Sequence, residues 1–179
     1  HVGTGPLVRL DHFPRADEPV VISLAHVTLR AASSAVECRF GQVAGQPGRI
    51  TIEAGQSAFV PHQQGGLLVF SGAESPVELL SHVQWTGQGS LLAPEVPVAL
   101  WRDDGGRVEP LDDSSLSIAG LVRSGVEFAG PADAGTAAGR VTRWQAPLRS
   151  SNAPGADPGM LFVPELPAPQ AGAFDLPRP

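Results

Sequence analysis

VVISLAHVTLRAASSAVECRF, residues 20–40, holds two runs in which apolar side chains alternate with small or polar ones, separated by an Ala/Ser corner. Alternation with a period of two turns one face of a strand toward a core and the other away from it. The stretch therefore reads as strand, bend, strand, and the same texture continues on both sides of it.

Upstream, residues 1–19 read as a lead-in segment, with a short strand over Leu7–Leu10 and turns set by Pro14 and Pro19. Downstream, strands are expected at Arg49–Glu53, Ser57–Val60, Leu67–Phe70, Val77–Trp85, Ser90–Leu92, Val96–Trp101, Val108–Leu111, Leu116–Val122, Val126–Phe128 and Arg140–Trp144. Nearly every gap holds Gly, Pro or Ser. Short β-prone runs separated by turn formers describe an all-β domain with little helix. Ser75–Val83 comes nearest to a helix, but Pro76 and the Leu79–Leu80 pair fit a strand equally well.

Leu24-Ala-His-Val-Thr-Leu29 is echoed by Leu80-Ser-His-Val-Gln-Trp85, and more faintly by Ser117-Ile-Ala-Gly-Leu-Val122. On that alignment His26 and His82 hold equivalent positions. Strand centres near Val27, Ile50, Val77, Val98, Ile118 and Val141 recur at intervals of roughly 20–27 residues, which fits a solenoid whose coils bury their inward side chains by stacking. A β-sandwich with paired strands would give similar spacing. The fold expected is an all-β, right-handed parallel β-helix or solenoid over residues 20–144, with the β-sandwich as the alternative and a Pro-rich extended tail over residues 145–179.

The run HVTLRAASSAVECRF, in which a strand leads through a small-residue bend to V-x-C-x-F, resembles the coils of right-handed parallel β-helix proteins of the pectin-lyase-like superfamily. The likeness is carried by Val20–Phe40 and Leu79–Trp101. It implies inward stacking with a buried Cys38. The chain departs from the Asn-rich ladders of that group, since Asn152 is its only asparagine, so stacking here must rest on aliphatic, Ser and Cys side chains.

The chain of 179 residues carries a formal charge of −6, with no Lys and no run of Arg. Phosphate binding needs clustered cations, so nucleic acid and anionic membrane surfaces are not expected partners. The missing Lys and Tyr, with only four Ile, point to a GC-rich, bacterial coding sequence. No apolar run approaches the length of about 18 residues that spans a bilayer. The single Cys38 can form neither an internal disulfide nor a cysteine zinc site by itself, which leaves the compartment open, extracytoplasmic included. Residue 1 is His, so the chain reads as a processed protein or as a piece of a longer one.

The tail over residues 145–179 holds eight prolines and favours extended, polyproline-like conformations. Met160–Val163 and Phe174 could anchor it to the domain or to a partner.

Chemistry-bearing residues are scattered. His1, His12, His26, His62 and His82 lack metal-motif spacing, and His1 does not sit in the context of an amino-terminal copper site. Asp103-Asp104 and Asp112-Asp113 could supply the paired carboxylates of glycoside hydrolysis, but each pair lies in a turn context where Asp caps the backbone. Trp85, Trp101 and Trp144 are too irregularly spaced for a sugar-stacking platform and fit core or flank packing. No catalytic, cofactor or metal residue is therefore assigned. The function expected is a non-catalytic β-rich binding or scaffolding module of a larger bacterial protein, with a protein or carbohydrate partner. The rival expectations are a β-sandwich structural subunit of a surface or virus-like assembly, and a β-helix carbohydrate-active enzyme.

Overall fold

A computed structural model of the chain describes residues 4–41, 45–131, 140–145 and 154–155. The chain winds into a parallel β-solenoid of about four turns, and each full coil contributes one strand to each of three sheets. Sheet I stacks β2 (Val20–Ala25), β5 (Ile50–Gly55), β8 (Val83–Gln88) and β12 (Ser117–Ile118). Sheet II stacks β3 (Thr28–Arg30), β6 (Ala58–Val60), β9 (Ser90–Leu92) and β13 (Leu121–Arg123). Sheet III begins one coil earlier with β1 (Val8–Leu10), continues through β4 (Ser34–Arg39), β7 (Gly66–Ser71) and β10 (Ala99–Arg102), and closes with β11 (Val108–Pro110). All these pairings are parallel except β10–β11, a hairpin that folds back on the last full coil. Parallel stacking in coils excludes the β-sandwich.

Register shows why an alternating sequence suits this winding. Side chains opposite one another in adjacent coils share a face, so like stacks on like. Ile22, Ile52, Trp85 and Ile118 form one inward row of sheet I, and Leu29, Phe59 and Leu92 one of sheet II. Leu10, Cys38, Phe70 and Trp101 form one of sheet III. Phe59 and Trp85 meet edge to face, with ring centroids 5.3 Å apart, across the lumen. Cys38 stacks against Phe70 as an inward thiol, and burial pushes its pKa from 9.0 up to about 12.

The corner between sheets I and II is built from left-handed backbone and serine. His26, Gln56, Gly89 and Gly120 all have positive φ there, at 55°, 47°, 68° and 77°. A side chain on Gly120 would run into the Gly87 carbonyl, so glycine is required at that turn. Beside them Ser57 and Ser90 are fully buried and bond between coils. Ser57 Oγ accepts from Val27 N at 3.0 Å, and Ser90 Oγ donates to the Ala54 carbonyl at 2.9 Å. Serine thus fills the role that asparagine would take in an Asn-rich ladder.

The coil length corrects the repeat drawn from sequence. Val20 faces Ile50 and Ile50 faces Val83, so the coil recurs after 30 and then 33 residues. The shorter intervals counted strands from different sheets as one series. Because 56 residues is not a whole number of coils, His26 and His82 are not equivalent. His26 follows β2 and stacks on Gln56, whereas His82 precedes β8 and its carbonyl accepts from Ile50 N. The expected strand over Val77–Trp85 is divided: Val77–Leu80 is a one-turn helix, α1, and the strand starts at Val83. Pro76 precedes α1, and its carbonyl accepts from Leu79 N.

Beyond β13 the chain forms the antiparallel pair β14 (Val126–Phe128) and β15 (Val141–Trp144), which lies along the outer side of sheet II. Arg30 on the first coil donates to the Gly130 carbonyl and sits 4.3 Å from the centroid of the Phe128 ring. Gln145 N donates to Ser124 Oγ at 3.0 Å. Of the Pro-rich tail, Pro154 and Gly155 lie within the described residues and are buried; Gly155 N donates to the Gln56 carbonyl at 2.6 Å. The Met160–Val163 and Phe174 anchors lie outside the described residues.

Candidate functional site

Sheet III carries a constellation that neighbouring positions in the sequence do not reveal. In β4 the residues Val36 and Cys38 point into the lumen, so Glu37 and Arg39 point out. Register places Arg9 of β1 beside Glu37, and Ser71 of β7 and Arg102 of β10 in line with Arg39. Five outward side chains from four strands therefore share one patch. Glu37 is at its centre, with a side chain only 4% exposed, while Arg9, Arg39 and Arg102 are 44%, 55% and 31% exposed.

The geometry leaves the patch short of negative charge. Glu37 Oε2 accepts from Arg9 Nη2 at 3.4 Å, and Glu37 Oε1 accepts from Ser71 Oγ at 3.2 Å. Arg39 Nε and Arg102 Nη1 stand 3.8 and 3.9 Å from Oε1, close enough for attraction but too far for a good hydrogen bond. One carboxylate thus faces three guanidiniums, a local excess of two positive charges on a chain whose overall charge is −6. At about 4 Å a charge pair at a protein surface interacts by roughly 4 kcal/mol, so the excess is a real local field and not a balanced network. Each guanidinium offers five N–H donors in a rigid fork, and most of these remain available.

A cleft of about 690 Å³ also borders sheet III. Leu100, two residues before Arg102 on the same face of β10, contributes to its lining, together with Val108 and Pro110 of β11 and with Gln63, Gln64 and Pro97. Arg123 also lines it, its Nη1 donating to the carbonyls of Pro94 and Val96 at 2.9 and 2.7 Å.

A second cleft, of about 520 Å³, lies among the loops that lead from sheet III to sheet I. It gathers Glu74, Glu78 and His82 beside Phe40 and Leu79. Both carboxylates are exposed, and no hydrogen bond orients either side chain among the described residues.

The residues singled out from sequence fall elsewhere. Asp103 builds the β10–β11 turn, its Oδ1 accepting from Arg107 N at 2.8 Å and its carbonyl from Gly106 N at 3.0 Å. Asp112 Oδ1 accepts from Ser114 N at 3.0 Å, an Asx turn. His12 and His26 are exposed, His62 Nδ1 accepts from Gln64 N at 3.0 Å, and His1 lies outside the described residues. No group of three potential metal ligands occurs among the described residues. Trp85 is buried in the lumen, and half-buried Trp101 donates to the Gly72 carbonyl at 3.0 Å, so the two build no shared platform. No helix among the described residues is long and apolar enough to cross a membrane.

Sequence reasoning missed the arginine patch because its members lie 28 to 93 positions from one another, apart from Glu37 and Arg39. The signal that could have found it is a charged residue at an outward position in successive coils, which needs the true coil length. Comparison with family models, curated proteins and solved structures finds no match.

Proposed function

We propose that the chain is a non-catalytic binding or scaffolding module that engages an anionic partner through the outer face of sheet III. The observation that carries this reading is the convergence of Arg9, Arg39 and Arg102 on the single buried carboxylate of Glu37. A stacked sheet holds these side chains on a rigid, flat support, which limits the ordering cost of binding. The charge is confined to one cluster and forms no stripe along the solenoid. That favours one or two acidic groups over the phosphate backbone of a nucleic acid.

The resemblance to pectin-lyase-like coils contributes architecture to this reading and no catalytic residue.

Retention on a carboxylated matrix tests the proposal. The acidic protein is expected to be retained at low salt and released as salt rises, because exposed charge pairs are screened. An Arg39→Gln/Arg102→Gln variant is expected to flow through. Equal retention of the two proteins, or no retention of the first, would refute the proposal.

A further inference from the structure

Among the described residues strand β1 is an edge strand of sheet III, and its pairing shows which of its backbone groups no described strand uses. Leu7 N donates to the Ser34 carbonyl, and Arg9 stands opposite Glu37. In a parallel ladder alternate residues bond to the same neighbour, so Leu7 and Arg9 bond toward β4. The N–H and C=O groups of Val8 and Leu10 therefore point to the free edge. No described residue pairs with that edge.

The side chains of the same strand carry a pattern. Arg9 points outward beside Glu37, while Val8 and Leu10 are half-buried and begin the lumenal rows Val8–Val36–Leu68 and Leu10–Cys38–Phe70. An added strand that continued this sheet would need apolar residues at both lumenal positions and one outward residue next to Arg9. Coulomb's law selects that residue. With Glu37 on one side, an acid on the other places Arg9 between two carboxylates about 4.8 Å away on each side.

Resting on the anionic-partner reading above, we infer that the edge of β1 accepts an extended peptide of alternating apolar–acidic–apolar sequence from another protein, adding a strand to sheet III. Main-chain bonds to Val8 and Leu10 supply register, and Arg9 with its neighbouring guanidiniums supplies selectivity. A charged side chain on a short edge strand is also the usual guard against aggregation. Here it guards selectively: a second copy of β1 would bring Arg9 against Arg9, whereas an acidic strand is attracted. The six-residue edge of β2 is longer, but it carries no charge, since its outward side chains are Val21, Ser23 and Ala25.

The test is fluorescence anisotropy of the intact chain with labelled peptides of alternating Val and Glu, alternating Val and Gln, and alternating Val and Lys. A fourth probe is the Val–Glu peptide N-methylated on the backbone edge that would face β1. The Val–Glu peptide is expected to bind at least about tenfold more tightly than the other three, and Arg9→Gln to weaken it by about five- to tenfold. Equal binding of the N-methylated and unmethylated Val–Glu peptides overturns strand addition while leaving the anionic-face reading intact. Failure of both to bind overturns strand addition, and the matrix experiment then decides separately whether the face binds anions. Should Arg9→Gln fail to fold, the N-methylated peptide carries the decision by itself.

Discussion

Sheets II and III stack in the same coils, yet their outer sides have opposite fates. Outward on sheet II are Thr28, Ala58 and Leu91, small or apolar and all buried, with half-buried Val60 and a single cation, Arg30, which the β14–β15 pair covers with the Gly130 carbonyl and the Phe128 ring. Outward on sheet III, in register with the buried apolar Val69 and Leu100, are the charged Arg9, Glu37, Arg39 and Arg102. The lumenal rows of the two sheets are equally apolar, so the inward pattern specifies the winding and the outward pattern specifies what each side meets. A side of Ala, Leu and Thr whose one cation, Arg30, is met by a carbonyl and a ring loses little on desolvation and accepts a second layer. A side with three guanidiniums would lose far more, and it keeps contact with water.

Exchanging these characters gives the largest expected effect. Leu91→Arg puts an unpaired cation on the outer side of sheet II, where Leu91 is fully buried. It is expected to cost about 4 kcal/mol or more or to release the hairpin, and hydrogen exchange of residues 126–128 and 141–144 distinguishes the two.

The lumen behind both sheets provides a second probe, because Cys38 is the ionisable group that faces it in sheet III. Unfolded, the thiol ionises near 9.0; folded, its pKa is about 12. Above pH 9 the folded state keeps a proton that the unfolded state has lost. The stability contributed by this group is therefore complete below pH 9 and falls by up to about 1.4 kcal/mol per pH unit as the pH rises toward 12. Denaturant unfolding of wild type and Cys38→Ala across that window measures it: the wild type should lose its alkaline slope relative to the variant only if the thiol stays outside the lumen.

The smallest effect belongs to the charged side. Glu37→Gln leaves three guanidiniums facing one another, but their exposure discounts the penalty to about 1 kcal/mol, and added salt should reduce it further. The same variant raises the local excess from two positive charges to three, so it is expected to bind a carboxylated matrix more tightly while being less stable. Weaker retention would show that Glu37 positions the arginines more than it opposes the ligand.

Much of the architecture is legible in sequence because coil stacking is a local rule repeated. Residues 20–40 carry the expected Ala/Ser corner before β4, but the single strand expected over Val20–Ala31 is broken at His26 into β2 and β3; the expected Ser and Cys stacking appears at Ser57, Ser90 and Cys38. The period was not legible. Leu-x-His-Val recurs by chance across a boundary between different sheets, and the shared letters outweighed the coil length. Val77–Leu80 was misassigned because four residues cannot display helical periodicity. The arginine patch stayed hidden for a related reason: its members meet only through register, which depends on the number of residues between strands and not on the identity of any one of them.

The coil grows from 30 to 33 residues without any change at the corner between sheets I and II, where Ala25 to Thr28 and Gly55 to Ala58 span the same length. Length is absorbed instead at the other two seams, between β6 and β7 and between β7 and β8. Those seams supply Gln63 and Gln64 to one cleft and Glu74, Glu78 and His82 to the other. For a protein engineer, this makes the first corner a hinge to leave alone and the two seams natural grafting points. Insertions there can alter what the surface holds while the winding beneath them stays the same.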